Sequence, residues 1–174
     1  MGVLVIDGYN VIARGMAVDP RGVMGSDDAR FEAREELVRL AKRYGAGKKG
    51  LEVRIYFDGS SDRAAPELSD RTVKVFFAKG DQGADNAIIR FCKAYARPKE
   101  IEVASDDWGT LGFHVRAHVG KLLSVAELMR RLRPGDPSAG VSRRQDVQGR
   151  TPAKFISRDC EEEITRWYRE QLDS

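Results

Sequence analysis

The sequence contains few of the residues from which disulfides, zinc sites and membrane spans are built. Its 174 residues include two cysteines and two histidines, and neither pair has a spacing typical of a disulfide framework or a zinc site. No apolar run approaches the roughly twenty residues that cross a bilayer, and the first residues do not resemble a signal peptide. We therefore expect a cytoplasmic protein with reduced cysteines and no membrane partner.

The sequence also lacks the motifs of the common phosphate-binding folds. It has no Gly-rich phosphate loop and no Walker-type lysine, which argues against the α/β phosphatases and nucleotide-binding domains as an alternative. His114 and His118 lie four residues apart, but no acid or third ligand accompanies them, so that a metal site there is disfavoured. The net charge of +3 is small, and binding to a polyanion would depend on how the charges are distributed.

What the sequence does have is a short, strongly apolar segment near its start. Residues 3–6 read Val-Leu-Val-Ile, four apolar residues of which three are β-branched, as is typical of a central strand in a parallel sheet. Asp7 and Gly8 follow directly. In open α/β sheets ligands bind just beyond the carboxyl ends of the strands, so Asp7 lies where such a protein carries its chemistry.

Strand and helix patterns alternate along the rest of the chain. We predict further strands at 51–57, 72–77, 101–104 and 121–123, and helices at 26–44, 84–95, 108–118, 124–132 and 159–172. The second strand is expected nearer an edge, residues 11–25 are expected to form a polar loop, and residues 134–154 a flexible basic loop. The pattern predicts a single α/β domain over residues 1–174, with a mainly parallel sheet between helices on both faces.

Aspartates are predicted to gather at one edge of this sheet, because the carboxyl ends of parallel strands lie on the same side. They are Asp7, Asp58, Asp106 and Asp107 after three strands, and Asp85 at the start of a helix. Clustered carboxylates repel one another unless a cation lies among them, and Mg²⁺ or Mn²⁺ suits oxygen ligands. A metal held by acids and open to water is suited to phosphoryl transfer or phosphodiester hydrolysis.

Each aspartate also has a simpler explanation. Asp85 can complement a helix dipole, and Asp58 before a glycine can be a turn residue. One of Asp106 and Asp107 can cap the helix that follows. Asp7 is the hardest to explain in this way, since it ends the most buried strand.

Several motifs in order resemble one known family. They are Val-Ile-Asp-Gly-Tyr-Asn-Val-Ile, Tyr-Phe-Asp-Gly, Gly-Ala-Asp-Asn-Ala-Ile-Ile, Ala-Ser-Asp-Asp and Ser-Val-Ala-Glu-Leu. Together they resemble the NYN domain, a branch of the PIN-like nuclease superfamily, and in particular the YacP-like bacterial proteins. The resemblance covers nearly the whole chain and implies a PIN-like three-layer sandwich.

The resemblance also implies a metal-dependent endoribonuclease using Mg²⁺ or Mn²⁺, and for some relatives action on messenger RNA at the ribosome. Carried over residue by residue, the family's catalytic, metal-binding acids fall on Asp7, Asp85 and Asp106. Asn10 of the Asp-Gly-Tyr-Asn motif and Ser105 of the Ser-Asp motif are expected to orient these carboxylates.

The identity of a fourth acidic ligand stays open. Asp107 is such a ligand by position only, and the segment 108–110, Trp-Gly-Thr, departs from the pattern expected after the Ser-Asp pair. An alternative function is therefore a non-catalytic RNA- or ribosome-binding module with the same fold.

A basic segment near the carboxyl end is a candidate for RNA binding. Its arginines include Arg130, Arg131, Arg143, Arg144 and Arg150. Phosphates attract such residues whatever the base sequence, although a solvated loop has the same composition.

Overall fold

The apolar segment near the start of the chain forms the central strand of a parallel sheet. A computed structural model describes residues 2–16, 27–59, 68–78 and 83–136. Its strands are β1 (Gly2–Asp7), β2 (Leu51–Asp58), β3 (Val73–Ala78), β4 (Ile101–Ala104) and β5 (Lys121–Leu123). Its helices are α1 (Gly8–Gly15), α2 (Asp27–Ala46), α3 (Gly83–Ala94) and α4 (Val125–Leu132), with a 3-10 turn at Pro98–Glu100 and a helical segment over residues 108–118.

The strand order is β3-β2-β1-β4-β5, and every neighbouring pair is parallel. In this register Asp7 lies opposite Tyr56, and Ile6 lies opposite Ala104. The ends of β1, β2 and β4 therefore lie along one edge of the sheet, as the sequence predicts.

Strand β2 lies nearer an edge of the sheet than the central β1, as predicted, but it is an interior strand that pairs with β1 on one side and β3 on the other. Its polar positions are compatible with an interior strand because they pair with one another. Glu52 accepts from Arg54 at 2.5 Å and from Lys74 at 3.1 Å. The Arg54 guanidinium also lies over the rings of Phe76 and Phe91, 5.1 and 4.1 Å from their centroids.

Helices cover both faces of the sheet, which makes the three-layer α/β sandwich that the sequence predicts. Along β1, Leu4 and Ile6 face a core built with α1, α2 and α4. Val3 and Val5 face a second core built with α3 and the helical segment 108–118. This alternation explains why β1 is apolar at consecutive positions, since a strand buried on both faces has no polar side.

The polar loop predicted directly after Asn10 is wrong for residues 11–15, which belong to α1. Asp7 caps this helix by accepting from the Asn10 backbone N–H at 3.3 Å. Val11 and Ile12 are buried in the first core, so that contacts with distant parts of the chain stabilise a helix of only eight residues. Part of the predicted loop, at 17–25, lies outside the described residues.

The predicted helix at 108–118 is helical but irregular. It begins as a π-helical turn at Trp108–Gly112, continues as one α-helical turn at Phe113–Val115 and ends as a 3-10 turn at Arg116–His118. Leu111 and Val115 are its buried anchors, four residues apart.

The basic loop predicted at 134–154 is described only for residues 134–136, and the helix predicted at 159–172 lies outside the described residues. Across the part of the chain that the structure describes, no helix combines the length and the apolarity that a bilayer crossing requires.

Candidate active site at the carboxyl edge of the sheet

The ends of three strands and the start of α3 bring the predicted aspartates to one edge of the sheet. Asp7 is the last residue of β1 and Asp58 the last of β2. Asp106 and Asp107 follow β4 and are separated from it by Ser105. Asp85 lies in the first turn of α3.

Asp7 is the most buried of these carboxylates, with 7% of its surface exposed. One oxygen, Oδ1, accepts from the backbone N–H of Asn10 at 3.3 Å, and Oδ2 accepts from the Ser105 hydroxyl at 3.0 Å. The pKa of Asp7 is raised from 3.8 to about 6. Burial is the largest cause, the two hydrogen bonds partly offset it, and the charges of Asp85 and Asp58 add to it.

Asn10 and Ser105 join the end of β1 to the residues that follow β4. The Asn10 side-chain oxygen accepts from the backbone N–H of Asp106 at 2.9 Å. The Ser105 hydroxyl donates to Asp7 and accepts from the backbone N–H of Asp107 at 3.1 Å. The two side chains thus join the segments that carry Asp7 and Asp106. Ser105 contacts the Asp7 carboxylate directly, whereas the Asn10 side chain bonds the Asp106 backbone N–H and not a carboxylate.

Three of the remaining carboxylates each accept a hydrogen bond at the start of a helical segment. Asp58 Oδ1 accepts from Ala84 N at 2.6 Å, at the start of α3. Asp106 Oδ1 accepts from Val125 N at 2.9 Å, at the start of α4. Asp107 Oδ1 accepts from Thr110 N at 3.1 Å, in the π-helical turn. Helix starts favour negative charge, so the fold partly compensates the charges that it gathers.

Asp85 differs from the others, because its carboxylate has no hydrogen-bond partner among the described residues. Burial raises its pKa, followed by repulsion from Asp107 and then Asp58. Electrostatic coupling therefore links Asp7, Asp58, Asp85 and Asp107. Asp58 was predicted at this edge but not as a ligand, because an aspartate before a glycine is also typical of a turn; its position at the end of β2 is the signal that includes it.

A divalent cation fits the chemistry of this edge, since hard cations prefer several carboxylate oxygens. Two carboxylates with raised pKa values, Asp7 and Asp85, are the groups whose mutual repulsion a cation would relieve. In the conformation described, no three acidic, histidine or cysteine side chains within the described ranges are arranged to hold an ion.

The predicted RNA-binding arginines divide into two groups. Arg130 is exposed on α4. Arg131 is half-buried, and its guanidinium donates at 2.8 Å to both Glu102 and Glu127. The predicted contacts at Arg143, Arg144 and Arg150 lie outside the described residues.

Comparisons with known proteins agree with this architecture. The model of the YacP-like NYN domain matches residues 4–169. The crystal structure of Rae1 (YacP) from Bacillus subtilis superposes with a TM-score of 0.60 at 21% identity, covering 99% of this chain and 85% of that one. A tryptophan-to-leucine mutant of the same protein superposes with a TM-score of 0.56 at 24% identity, covering 76% of this chain and 75% of that one.

These structural similarities establish the fold, and the family model covers almost the whole chain. Curated proteins provide no match to the sequence. The chain belongs to the YacP-like NYN family, whose members are PIN-like nuclease domains.

Proposed function

We propose that this protein is a metal-dependent endoribonuclease that hydrolyses RNA phosphodiester bonds, with messenger RNA on the ribosome as its target. Membership of a nuclease family gives the class of reaction. The observation that carries the proposal is the electrostatic coupling of Asp7, Asp58, Asp85 and Asp107 at the carboxyl edge of the sheet.

This coupling supports a catalytic role because it costs stability in the free protein. Asp7 is desolvated within the core, and Asp85 lacks a hydrogen-bond partner among the described residues while it faces two other carboxylates. A purely structural edge would place neutral or paired side chains there. Groups with perturbed pKa values that share one site are candidates for function.

The chain's own residues would hold the ion and the substrate in fixed positions. Asp7 and Asp85 are the proposed principal ligands, with Asp106 and Asp107 as further ligands. Asp106 has Oδ1 bonded to α4, which leaves Oδ2 as its ligand atom. Bound Mg²⁺ or Mn²⁺ would supply an activated water and neutralise charge at the scissile phosphate. Asn10 and Ser105 keep the Asp7 and Asp106 segments in register.

The decisive experiment is cleavage of a labelled single-stranded RNA by wild type and by Asp85→Asn. We expect wild type to cleave internally with Mg²⁺ or Mn²⁺ and to stop when a chelator is added. We expect Asp85→Asn to lose at least about 100-fold in rate, in line with the loss of several kcal/mol of charge stabilisation. Parallel reactions with and without ribosomes test whether the ribosome is required.

Asp70→Asn is the matched control. Asp70 precedes β3 at the opposite, amino edge of the sheet, where it accepts from the backbone N–H groups of Thr72 and Val73 at 2.7 Å. Cleavage by Asp70→Asn should equal that of wild type. Wild-type rates in folded Asp85→Asn would contradict the assignment of Asp85.

Thermal melts separate the nuclease from a non-catalytic RNA-binding module. Saturating Mn²⁺ should stabilise wild type and Asp70→Asn, by about 2.7 kcal/mol when the ion exceeds its Kd about 100-fold. Asp7→Asn should respond less. A protein that binds RNA but shows neither cleavage nor metal stabilisation would be the binding module.

A further inference from the structure

A large exposed aromatic side chain follows directly on the acidic edge. This name refers to the carboxyl edge of the sheet with Asp7, Asp58, Asp85, Asp106 and Asp107. Trp108 directly follows Asp107 and has 42% of its surface exposed. Burial raises the pKa of Asp85 and the charge of Asp107 raises it further, so that Trp108 follows a member of the coupled carboxylate set in the chain. Single exposed apolar residues are common on protein surfaces. Trp108 differs from such residues in its surroundings.

The backbone around Trp108 is firmly held. Asp107 caps the π-helical turn through Thr110, and Gly112 N donates to the Asp107 backbone oxygen at 2.9 Å. Leu111, three residues after the tryptophan, is fully buried in the second core. Single π-helical turns frequently occur at functional sites.

The indole lies against a glycine, which leaves room for its ring. A Cβ built on Gly112 would lie 3.3 Å from Trp108 Cε3 and 3.7 Å from Trp108 Cβ. Gly112 therefore allows the backbone to support one side of the side chain. Throughout the described residues, aromatic rings and cations pair with one another but none stacks on Trp108.

An unpaired nucleobase is the ligand that this arrangement fits. Every base offers a flat face that stacks on an aromatic side chain, and proteins that bind single strands combine such platforms with contacts to the phosphates. Because Trp108 directly follows Asp107 in the chain, a base stacked on it would belong to a nucleotide near the proposed metal ligands. A paired base in a duplex has no free face to offer.

We propose that Trp108 is a stacking platform for one unpaired base of the RNA, next to the phosphate held at the acidic edge. This inference rests on the proposed nuclease function and extends it to the substrate class: RNA that is single-stranded at this nucleotide, with little preference for which base is present.

The test is a cycle that removes the ring and the base in turn. Single-stranded RNAs are prepared, each with one abasic nucleotide at a successive position around the cleaved bond, and kcat and KM are measured for wild type and Trp108→Ala. With intact RNA, we expect Trp108→Ala to lower kcat/KM about tenfold, mainly through KM, as expected for one stacked base. When the abasic nucleotide replaces the stacked base, wild type should show the same fall in kcat/KM. Trp108→Ala should cleave that RNA as efficiently as it cleaves intact RNA.

Two variants show whether the effect belongs to stacking. Trp108→Phe keeps an aromatic face and should recover most of the affinity. Phe113→Ala removes a more exposed ring, 71% exposed, from the same helical segment, and should keep the full abasic penalty. The proposal would be overturned if an abasic nucleotide lowered kcat/KM of Trp108→Ala at every position as much as it lowers that of wild type. It would also be overturned if Phe113→Ala lost the sensitivity to the abasic nucleotide to the same extent as Trp108→Ala.

Binding in a chelator makes the test independent of cleavage. The chain has two tryptophans, and replacing Trp167 by Phe leaves Trp108 as the only indole emitter. Its fluorescence should be quenched by intact single-stranded RNA, less by the oligonucleotide abasic at the critical position, and little by a duplex. Quenching without any cleavage activity would contradict the proposed nuclease function and support base stacking on Trp108. Cleavage without quenching would support the nuclease function and contradict the stacking.

Discussion

At the scale of single residues, Asp7 shows how the site costs the folded protein stability. Its carboxylate is nearly inaccessible to solvent, and the pKa of about 6 means that the ionised form is disfavoured in the folded protein without metal. Hydrogen bonds from Asn10 and Ser105 reduce this penalty without removing it. Asp7 is therefore expected to destabilise the free protein near neutral pH.

The first prediction concerns Asp7→Asn in a chelator. The folded protein keeps its proton up to about pH 6, whereas the unfolded chain releases it near 3.8. The folded state therefore binds more protons in this interval, and the contribution of Asp7 to stability falls as pH rises from about 4 to about 6. Asp7→Asn should be more stable than wild type at pH 7.5, by on the order of 1–3 kcal/mol, and equal to it near pH 4. Urea unfolding at four pH values measures the difference.

Asp70→Asn is a control of opposite sign. Desolvation raises the pKa of Asp70, but hydrogen bonds from Val73 and Thr72 and the charge of Lys42 lower it overall. Its contribution to stability is present above the unfolded pKa and is lost as pH falls. Asp70→Asn should therefore be less stable than wild type at pH 7.5, with the loss fading in acid. A pH-independent difference for Asp7→Asn would contradict the raised pKa.

At the scale of elements, α1 depends on a close approach to β2. The Gly8 backbone lies so near β2 that an added Cβ would clash with the ring of Phe57 and come within 2.9 Å of the Tyr56 backbone oxygen. Interior packing is dense, and a clash with a backbone atom cannot be relieved by rotating a side chain. The glycine after Asp7 thus permits the packing that positions the start of α1.

The second prediction follows from this close approach. Gly8→Ala should destabilise the protein by about 1–3 kcal/mol, the usual cost of overpacking, and should weaken metal-induced stabilisation because Asp7 is its neighbour. Gly2→Ala, at the other end of β1, meets only Leu51 Cδ1 at 3.6 Å and should be tolerated. Denaturant midpoints for the two variants test this, and equal midpoints would disprove the close approach.

At the scale of the whole molecule, the acidic edge needs a source of positive charge to hold RNA. The net charge of +3 is too small to act over the whole surface. Arg131 is shared between Glu102 and Glu127, while Arg130 remains exposed on α4. The arginines beyond residue 136 are further candidates for contacts to phosphates.

The third prediction tests those arginines by their salt dependence. Replacing Arg143, Arg144 and Arg150 by Gln should weaken RNA binding for unrelated sequences. The slope of log affinity against log salt should flatten by about 0.7 for each single-strand phosphate that the variant no longer neutralises. Metal-induced stabilisation should not change, because these residues supply no ligand oxygens. Filter binding between low and moderate salt gives the slopes.

A second triple variant controls for total charge. Arg43 lies in the last turn of α2, and Lys48 and Lys49 lie in the turn before β2, on the amino side of the sheet. Replacing the three by Gln removes the same charge and should leave the slope nearly unchanged. If both triple variants flatten the slope equally, the arginines act only through net charge.

The sequence by itself determined the layer structure and the location of the site. The apolar run Val3–Ile6 predicted a strand buried on both faces, and the alternation of elements predicted parallel pairing. These two local patterns were enough to place Asp7, Asp58, Asp106 and Asp107 on one edge, because every parallel strand ends on the same side.

Only the tertiary structure decided how these parts work together. Residues 11–15 lack local signs of a helix, and α1 forms because Val11 and Ile12 are buried against distant elements. Strand β2 has polar positions although it lies inside the sheet, and there the Arg54 guanidinium lies over the rings of Phe76 in β3 and Phe91 in α3.

The same limit applies at the acidic edge. Sequence position cannot distinguish Asp106, bonded to α4, from Asp107, which is coupled to Asp85. Nor can it show that Gly112 lies against the exposed indole of Trp108. The physical reason is that burial, repulsion and packing act between residues far apart in the chain. A sequence pattern reflects only residues that are close together in the chain.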